Sequence, residues 1–197
     1  MTAVDLAPAA RTMTDLIAGI PDDRLGDPTP CPEYTLGDLA EHVGGLAMAF
    51  TAAAEKSDIY AGRDQAPSGD ASRLEDSWRD RIARDLDALA VAWRKPDAWQ
   101  GMTRAGGVDL PGEVAGIVAL DELLIHGWDV ARSSGQDYQP DDTSLRAVHG
   151  FLVGLAQPGN EGIRGATFGP VVAVPDDAPM LDRAVALAGR QPGWSQS

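Results

Sequence analysis

The sequence predicts an all-α protein: a helix bundle with extra C-terminal helices and a short irregular or extended tail. Three observations predict it. Apolar residues recur at three- and four-residue spacing in five separate segments. The connections between those segments are modest and are punctuated by Pro and Gly. No alternation of strand and helix patterns occurs, so a doubly wound sheet is not expected, and there is no internal repeat or low-complexity segment. With 197 residues, 44% of them apolar, the chain is long enough for one domain spanning 1–197 with a sizeable core.

The first helix carries Val4, Ala9, Met13, Leu16, Ile17 and Ile20 on one face, and Pro21 ends it. A polar connection runs from Pro21 to Tyr34. Thr35, with Asp38 three residues on, has the capping pattern that opens a second helix. Leu36, Leu39, Val43, Leu46 and Phe50 form its apolar face. Lys56 to Gly69 reads as a loop. Leu74, Trp78, Ile82, Leu86, Leu89 and Trp93 define a third helix that Pro96 stops, with Arg94 and Lys95 suited to its C-terminal end. Trp99 to Leu110 reads as an irregular or short extended connection.

Pro111 suits the first turn of a fourth helix that runs to about Arg132, where Gly135 can terminate it. A fifth helix, about Thr143 to Ala156, uses Leu145, Val148, Phe151, Leu152 and Leu155. In the Gly- and Pro-rich stretch from Gln157 to Pro179, residues Phe168 to Val174 have room for one short strand that Pro170 and Pro175 limit. A last short helix, Leu181 to Leu187, precedes a tail containing Trp194.

Charge and composition narrow the function. Thirty acids against 16 bases give a formal net charge of −14, which opposes nucleic acid and anionic membrane surfaces as partners. No apolar run approaches the ~18 residues of a membrane span. The first twenty residues contain Asp5 and Asp15 and do not read as a signal peptide. Cys31 is the single cysteine, so no intrachain disulfide and no cysteine-rich zinc site can form. A cytoplasmic location fits this set. Only Lys56 and Lys95 of the basic residues are lysines, a bias of GC-rich genomes. No GxSxG, Walker loop, GxGxxG or CxxC is present.

The chemistry concentrates in the fourth helix. Glu122 and His126 stand four residues apart, one above the other on a helix face, in a row that Val118 and Val130 extend. A carboxylate and an imidazole inside an apolar ridge need compensation. A metal ion is one answer; an ion pair across one turn is the other. His42 borders the apolar stripe of the second helix between Leu39 and Leu46, and is the natural third ligand. Two imidazoles and one carboxylate match zinc sites of His₂Glu type, and equally the facial triad of non-haem iron(II). The same three residues in a closed shell would instead staple two helices without catalysis.

Other polar and aromatic residues carry weaker signals. Asp129, three residues after His126, can orient its imidazole or pair with an arginine. His149 reads as a boundary histidine, and Trp78 and Trp128 as core aromatics. Gly44 and Gly45 in mid-helix point to close packing, or to room for a ligand near His42. Cys31, in a turn between prolines, is either a reactive thiol or an inert one.

Three runs carry a resemblance. They are Thr29-Pro30-Cys31-Pro32-Glu33-Tyr34-Thr35 with Asp38-Leu39-Ala40-Glu41-His42-Val43-Gly44-Gly45; Asp121-Glu122-Leu123-Leu124-Ile125-His126-Gly127-Trp128-Asp129; and Phe168-Gly169-Pro170, Pro175-Asp176-Asp177-Ala178-Pro179 and Gly189-Arg190-Gln191-Pro192-Gly193-Trp194. Together they resemble the actinobacterial metal-binding proteins related to the N-terminal domain of mycothiol-dependent maleylpyruvate isomerase, within the DinB-like four-helix superfamily. The resemblance implies a DinB-like four-helix bundle holding a divalent metal, zinc first and nickel or iron(II) as alternatives. It matches His42, Glu122 and His126 to the ligand positions. It implies a low-molecular-weight thiol, mycothiol, as cosubstrate that meets the metal and attacks an electrophilic small molecule. A homodimer is compatible with such bundles. The isomerase carries a further C-terminal domain that contributes to its active site. Here about sixty residues follow the fourth helix, at the low end of domain sizes. The resemblance therefore speaks for the metal site and against maleylpyruvate as the substrate.

Overall fold

A computed structural model of the chain describes residues 3–57, 67–160, 162, 164 and 168–196. Helix α1 (Ala7–Ala18) starts with Pro8 in its first turn, where a missing N–H costs nothing. Val4 lies before it, and Ile20 after it is 2% exposed. Helix α2 (Leu36–Glu55) opens on the expected capping box: the Thr35 hydroxyl accepts from Asp38 N–H, and the Asp38 carboxylate accepts from Thr35 N–H. Of the predicted loop from Lys56 to Gly69, residues 58–66 lie outside the described residues.

Helix α3 (Trp78–Trp93) begins one turn later than the apolar pattern suggested. Leu74 instead closes a separate 3-10 turn, Ala71–Arg73, which the Asp70 carboxylate caps by accepting from Ser72 N–H. Pro96 ends α3 as expected and opens another 3-10 turn, Pro96–Trp99.

The all-α expectation needs one correction. The connection before the fourth helix is an antiparallel hairpin, β1 (Met102–Ala105) paired with β2 (Val108–Pro111). Gly106 and Gly107, with φ of 56° and 81°, form its two-residue turn, and positive φ at both positions is what a type I′ hairpin turn requires. The Thr103 hydroxyl donates to the Ala53 carbonyl at 2.6 Å and ties the hairpin to α2.

Helix α4 (Gly112–Ser134) follows with Pro111 as its N-cap, and Gly135 terminates it with φ 73°. Helix α5 (Asp142–Leu155) is capped by the Asp141 carboxylate, which accepts from Thr143 and Ser144 N–H. Helix α6 (Met180–Leu187) closes the series. Residues 168–174 form no strand. Pro170 has no N–H to give and no strand lies beside them; Val172 N–H bonds instead to the Ala186 carbonyl at the end of α6.

Helix α2 packs on α3 and α4, α1 packs on the same two, and α5 lies between α4 and α6. Leu36, Leu39, Ile82, Leu86, Leu89, Trp93, Leu120 and Leu124 fill the shared interior, each under 2% exposed. Burying one such side chain contributes roughly 1.5–3 kcal/mol, so this core dominates stability. Gly44 allows α2 and α3 to approach: a Cβ there would lie 3.0 Å from Ile82. The chain is thus mostly helical, with a two-stranded hairpin. No described helix is long and apolar enough to cross a membrane.

Candidate metal centre

The facing of α2 and α4 brings His42, Glu122 and His126 together. One potential donor atom from each lies within 4.8 Å of the others, and no other such trio occurs among the described residues. The two imidazoles meet edge to face. Glu122 and His126 sit one turn apart on α4, with Glu122 Oε2 3.1 Å from His126 Nε2. Both histidines are buried, and Glu122 is partly buried. Glu122 also borders a small apolar hollow lined by Met13, Val43, Leu46, Phe50, Leu89 and Leu123.

Each imidazole is fixed from behind through Nδ1. His42 Nδ1 donates to the Pro67 carbonyl at 2.7 Å. His126 Nδ1 donates to Asp129 Oδ2 at 3.0 Å. A proton held on Nδ1 leaves Nε2 as the ligating nitrogen, so both rings offer Nε2 to the shared space. The donor set therefore suits a divalent ion: two imidazole nitrogens, one carboxylate, and an acceptor behind each ring.

The loop that supplies Pro67 is pressed onto the start of α2. A Cβ at Gly45 would come 2.8 Å from Pro67 Cβ, and one at Gly69 would come 2.1 Å from the Asp38 carbonyl oxygen. Gly45 leaves room for the Pro67 ring, and Gly69 lets its backbone approach that of Asp38. Asp38 Oδ1 accepts from Ala71 N–H at 2.8 Å, so the residue that caps α2 also pins this loop. Tyr34 covers the other side of His42, with ring centroids 4.9 Å apart.

Protonation follows from these surroundings. Burial and the charge of His126 push His42 down to about 4. Burial also opposes a charge on His126, but hydrogen bonds to Asp129 and Glu122 outweigh it and raise this group to about 9. Burial likewise opposes the Glu122 charge, and the His126 hydrogen bond still holds it below its ordinary value. Asp121 lies behind them, 2% exposed, with Oδ1 bonded to nothing among the described residues; burial and the Glu122 charge raise it well above the usual carboxylate range.

Asp129 fulfils both roles open to it from the sequence. The same Oδ2 that receives His126 Nδ1–H also receives Arg190 Nη2 at 3.1 Å. His149 is half-buried on α5 and is not part of the cluster. Trp78 and Trp128 are buried core residues. Cys31 is half-buried, and burial raises its thiol above the ordinary range. Sequence reasoning assigned no role to Tyr34, the Pro67 carbonyl, Asp121 or Arg190. Gly45 was a usable signal for the Pro67 loop; nothing local pointed from residue 190 to residue 129.

The chain is similar to known proteins in sequence and in fold. The family profile of the mycothiol maleylpyruvate isomerase N-terminal domain matches residues 6–131, from α1 to the last turns of α4. Two uncharacterised proteins of Mycobacterium tuberculosis, from two strains, are each 33% identical over 184 residues, covering 89% of this chain and 90% of theirs. The crystal structure of the mycothiol-dependent maleylpyruvate isomerase superposes with a TM-score of 0.56 at 19% identity, covering 75% of this chain and 68% of that one. A histidine-to-alanine mutant of it gives the same TM-score at 18% identity.

Proposed function

The chain belongs to the family of the mycothiol maleylpyruvate isomerase N-terminal domain, and on that premise we propose that it is a single-domain metalloenzyme using a low-molecular-weight thiol. His42, Glu122 and His126 would be the metal ligands. The observation that carries this reading is the convergence of their donor atoms within 4.8 Å, with each imidazole anchored through Nδ1. Zinc fits a set of two imidazoles and one carboxylate, and nickel or iron(II) would take the same donors. A divalent ion there would supply Lewis acidity and acidify a thiol in an open coordination position.

The chain's own residues would prepare that step. Glu122 would contribute the single negative charge of the ligand set. Asp129 would hold the His126 ring and keep its proton on Nδ1. Tyr34, stacked on His42, would fix the second ring from the side. The apolar side chains beside Glu122 would keep water from that side of the ligand set. The thiol would be mycothiol, as in the name of the related isomerase, and the reaction a transfer or isomerisation on an electrophilic small molecule. A cytoplasmic site of action suits a thiol-dependent reaction of this kind.

The burial of both histidines favours a second reading, a metal that only ties α2 to α4. Metal analysis of the untagged protein separates the possibilities at the first level. One equivalent in the parent and none in His42→Ala, Glu122→Ala or His126→Ala is expected. Cobalt substitution then reports the thiol: a sulfur-to-cobalt charge-transfer band on adding mycothiol supports the enzyme, and an unchanged spectrum supports the tie.

A further inference from the structure

The Asp129 carboxylate is fully enclosed, yet only one of its oxygens is used. Oδ2 accepts from His126 Nδ1 at 3.0 Å and from Arg190 Nη2 at 3.1 Å, while Oδ1 has no partner among the described residues. The orientation of the carboxylate, and through it that of the His126 ring, thus depends on two donors. Arg190 is the one arginine bonded to it among the described residues, and Arg190 lies outside the stretch that matches the family profile.

Arg190 is itself held firmly. Its backbone N–H bonds to the Val185 carbonyl at 2.9 Å, and its Nη1 donates to the Ala188 carbonyl at 2.9 Å. Gly189, with φ 83°, turns the chain out of α6, and a Cβ there would lie 2.9 Å from Gly169. The side chain is delivered from a fixed turn and not from a loose tail.

We infer that Arg190 is a positioning residue of the proposed metal centre, acting on His126 through Asp129. The inference rests on the metal reading above. Without Arg190 the carboxylate keeps His126 Nδ1–H as its single partner and is free to rotate about its Cβ–Cγ bond. The His126 ring then loses its fixed direction. Removing the hydrogen-bond partner of a ligating histidine typically weakens metal binding about 10–100-fold. Asp129→Asn falls in that range. Arg190→Met, one bond further out, weakens it roughly tenfold by the same argument. Arg190→Lys keeps the charge but not the planar fork, and falls between Met and the parent.

Arg132 provides the control. It donates to the Trp194 carbonyl at 2.7 Å and so fastens the same C-terminal segment without bonding to Asp129. Zinc dissociation constants are measured by chelator competition for the parent, Arg190→Met, Arg190→Lys, Asp129→Asn and Arg132→Ala. Nitrogen-15 imidazole spectra of the zinc-loaded proteins read the His126 tautomer. Weakening in both Arg190 variants in the stated order, a shifted His126 signal and an unchanged Arg132→Ala establish the role. If Arg190→Met does not fold, Arg190→Lys against Arg132→Ala decides the same question. Equal weakening in Arg132→Ala, or no weakening in the Arg190 variants, overturns the inference while the metal reading stands. A parent that binds no zinc, nickel or iron(II) removes the metal reading, and the inference with it.

Discussion

The imidazoles of His42 and His126 face each other edge to face, with ring centroids 5.1 Å apart and planes at 85°. They are held by unlike acceptors, a backbone carbonyl and a carboxylate. Burial and the charge of His126 lower His42 to about 4, whereas at His126 the bonds to Asp129 and Glu122 outweigh burial and raise it to about 9. At neutral pH the first ring is ready to ligate, and the second carries on Nε2 a proton that a metal must displace.

Metal binding should therefore release one proton at neutral pH. Affinity should rise by about tenfold per pH unit between about pH 6 and about pH 8, since one proton leaves per ion bound. Competition titrations across that window, with a pH indicator dye to count protons, read both quantities. An affinity independent of pH would sink the assignment of His126 as a ligand.

The stability of the metal-free protein should follow the same two groups. His42 has its folded-state value lowered to about 4, so its contribution is lost as pH falls from the ordinary 6.5 toward that value. His126 has its value raised to about 9, so its contribution is complete below 6.5 and is lost as pH rises through 9. Urea unfolding with chelator present should thus weaken on both sides of about pH 6.5. His126→Gln should flatten the alkaline limb and also shrink the acid limb, because the His126 charge is one cause of the low His42 value.

Gly69→Ala should be destabilising and should also weaken metal binding. The added Cβ meets a backbone oxygen at 2.1 Å, so the loop must move, and with it the acceptor behind His42. A cost of about 1–3 kcal/mol is expected from such overpacking. Gly150→Ala, with nothing within 4 Å on α5, should instead stabilise by about 0.4–1 kcal/mol. Thermal unfolding of the two variants beside the parent gives the comparison.

Thr35→Ala should cost about 1 kcal/mol, the usual value of an N-cap. Asp38→Ala should cost more, because its carboxylate also receives Ala71 N–H. If the two variants unfold at the same denaturant concentration, Asp38 does not pin the loop as described.

The Cys31 thiol should react slowly with iodoacetamide at neutral pH in the folded protein and rapidly after unfolding. Burial raises its pKa and keeps the thiolate scarce. Equal labelling rates in the two states would refute this.

Periodicity carried most of what could be read in advance. The helical spacing through Ile82, Leu86 and Leu89, the Thr35–Asp38 cap and the Gly135 terminus reflect local physics, and each has its counterpart in the structure. The hairpin was legible only as an irregular or short extended connection, because two four-residue strands show too little alternation to reveal their pairing, although Gly106-Gly107 marked its turn. The approach of His42 to Glu122 and His126 followed from helix phase alone. What stands behind the rings did not. A backbone carbonyl has no sequence signature, and the Asp129–Arg190 pair spans 61 residues with no periodic relation between its ends.

That separation bears on the order in which the protein is made. Synthesis runs from the N-terminus, so α1 to α4, carrying all three proposed ligands, leave the ribosome well before Arg190 does. A nascent chain at that stage has Asp129 behind His126 but lacks the second donor to Asp129. The second imidazole would be less firmly held until residue 190 arrives. Uptake of an ion would then be weaker at the first appearance of its ligands than after residue 190 has docked on Asp129.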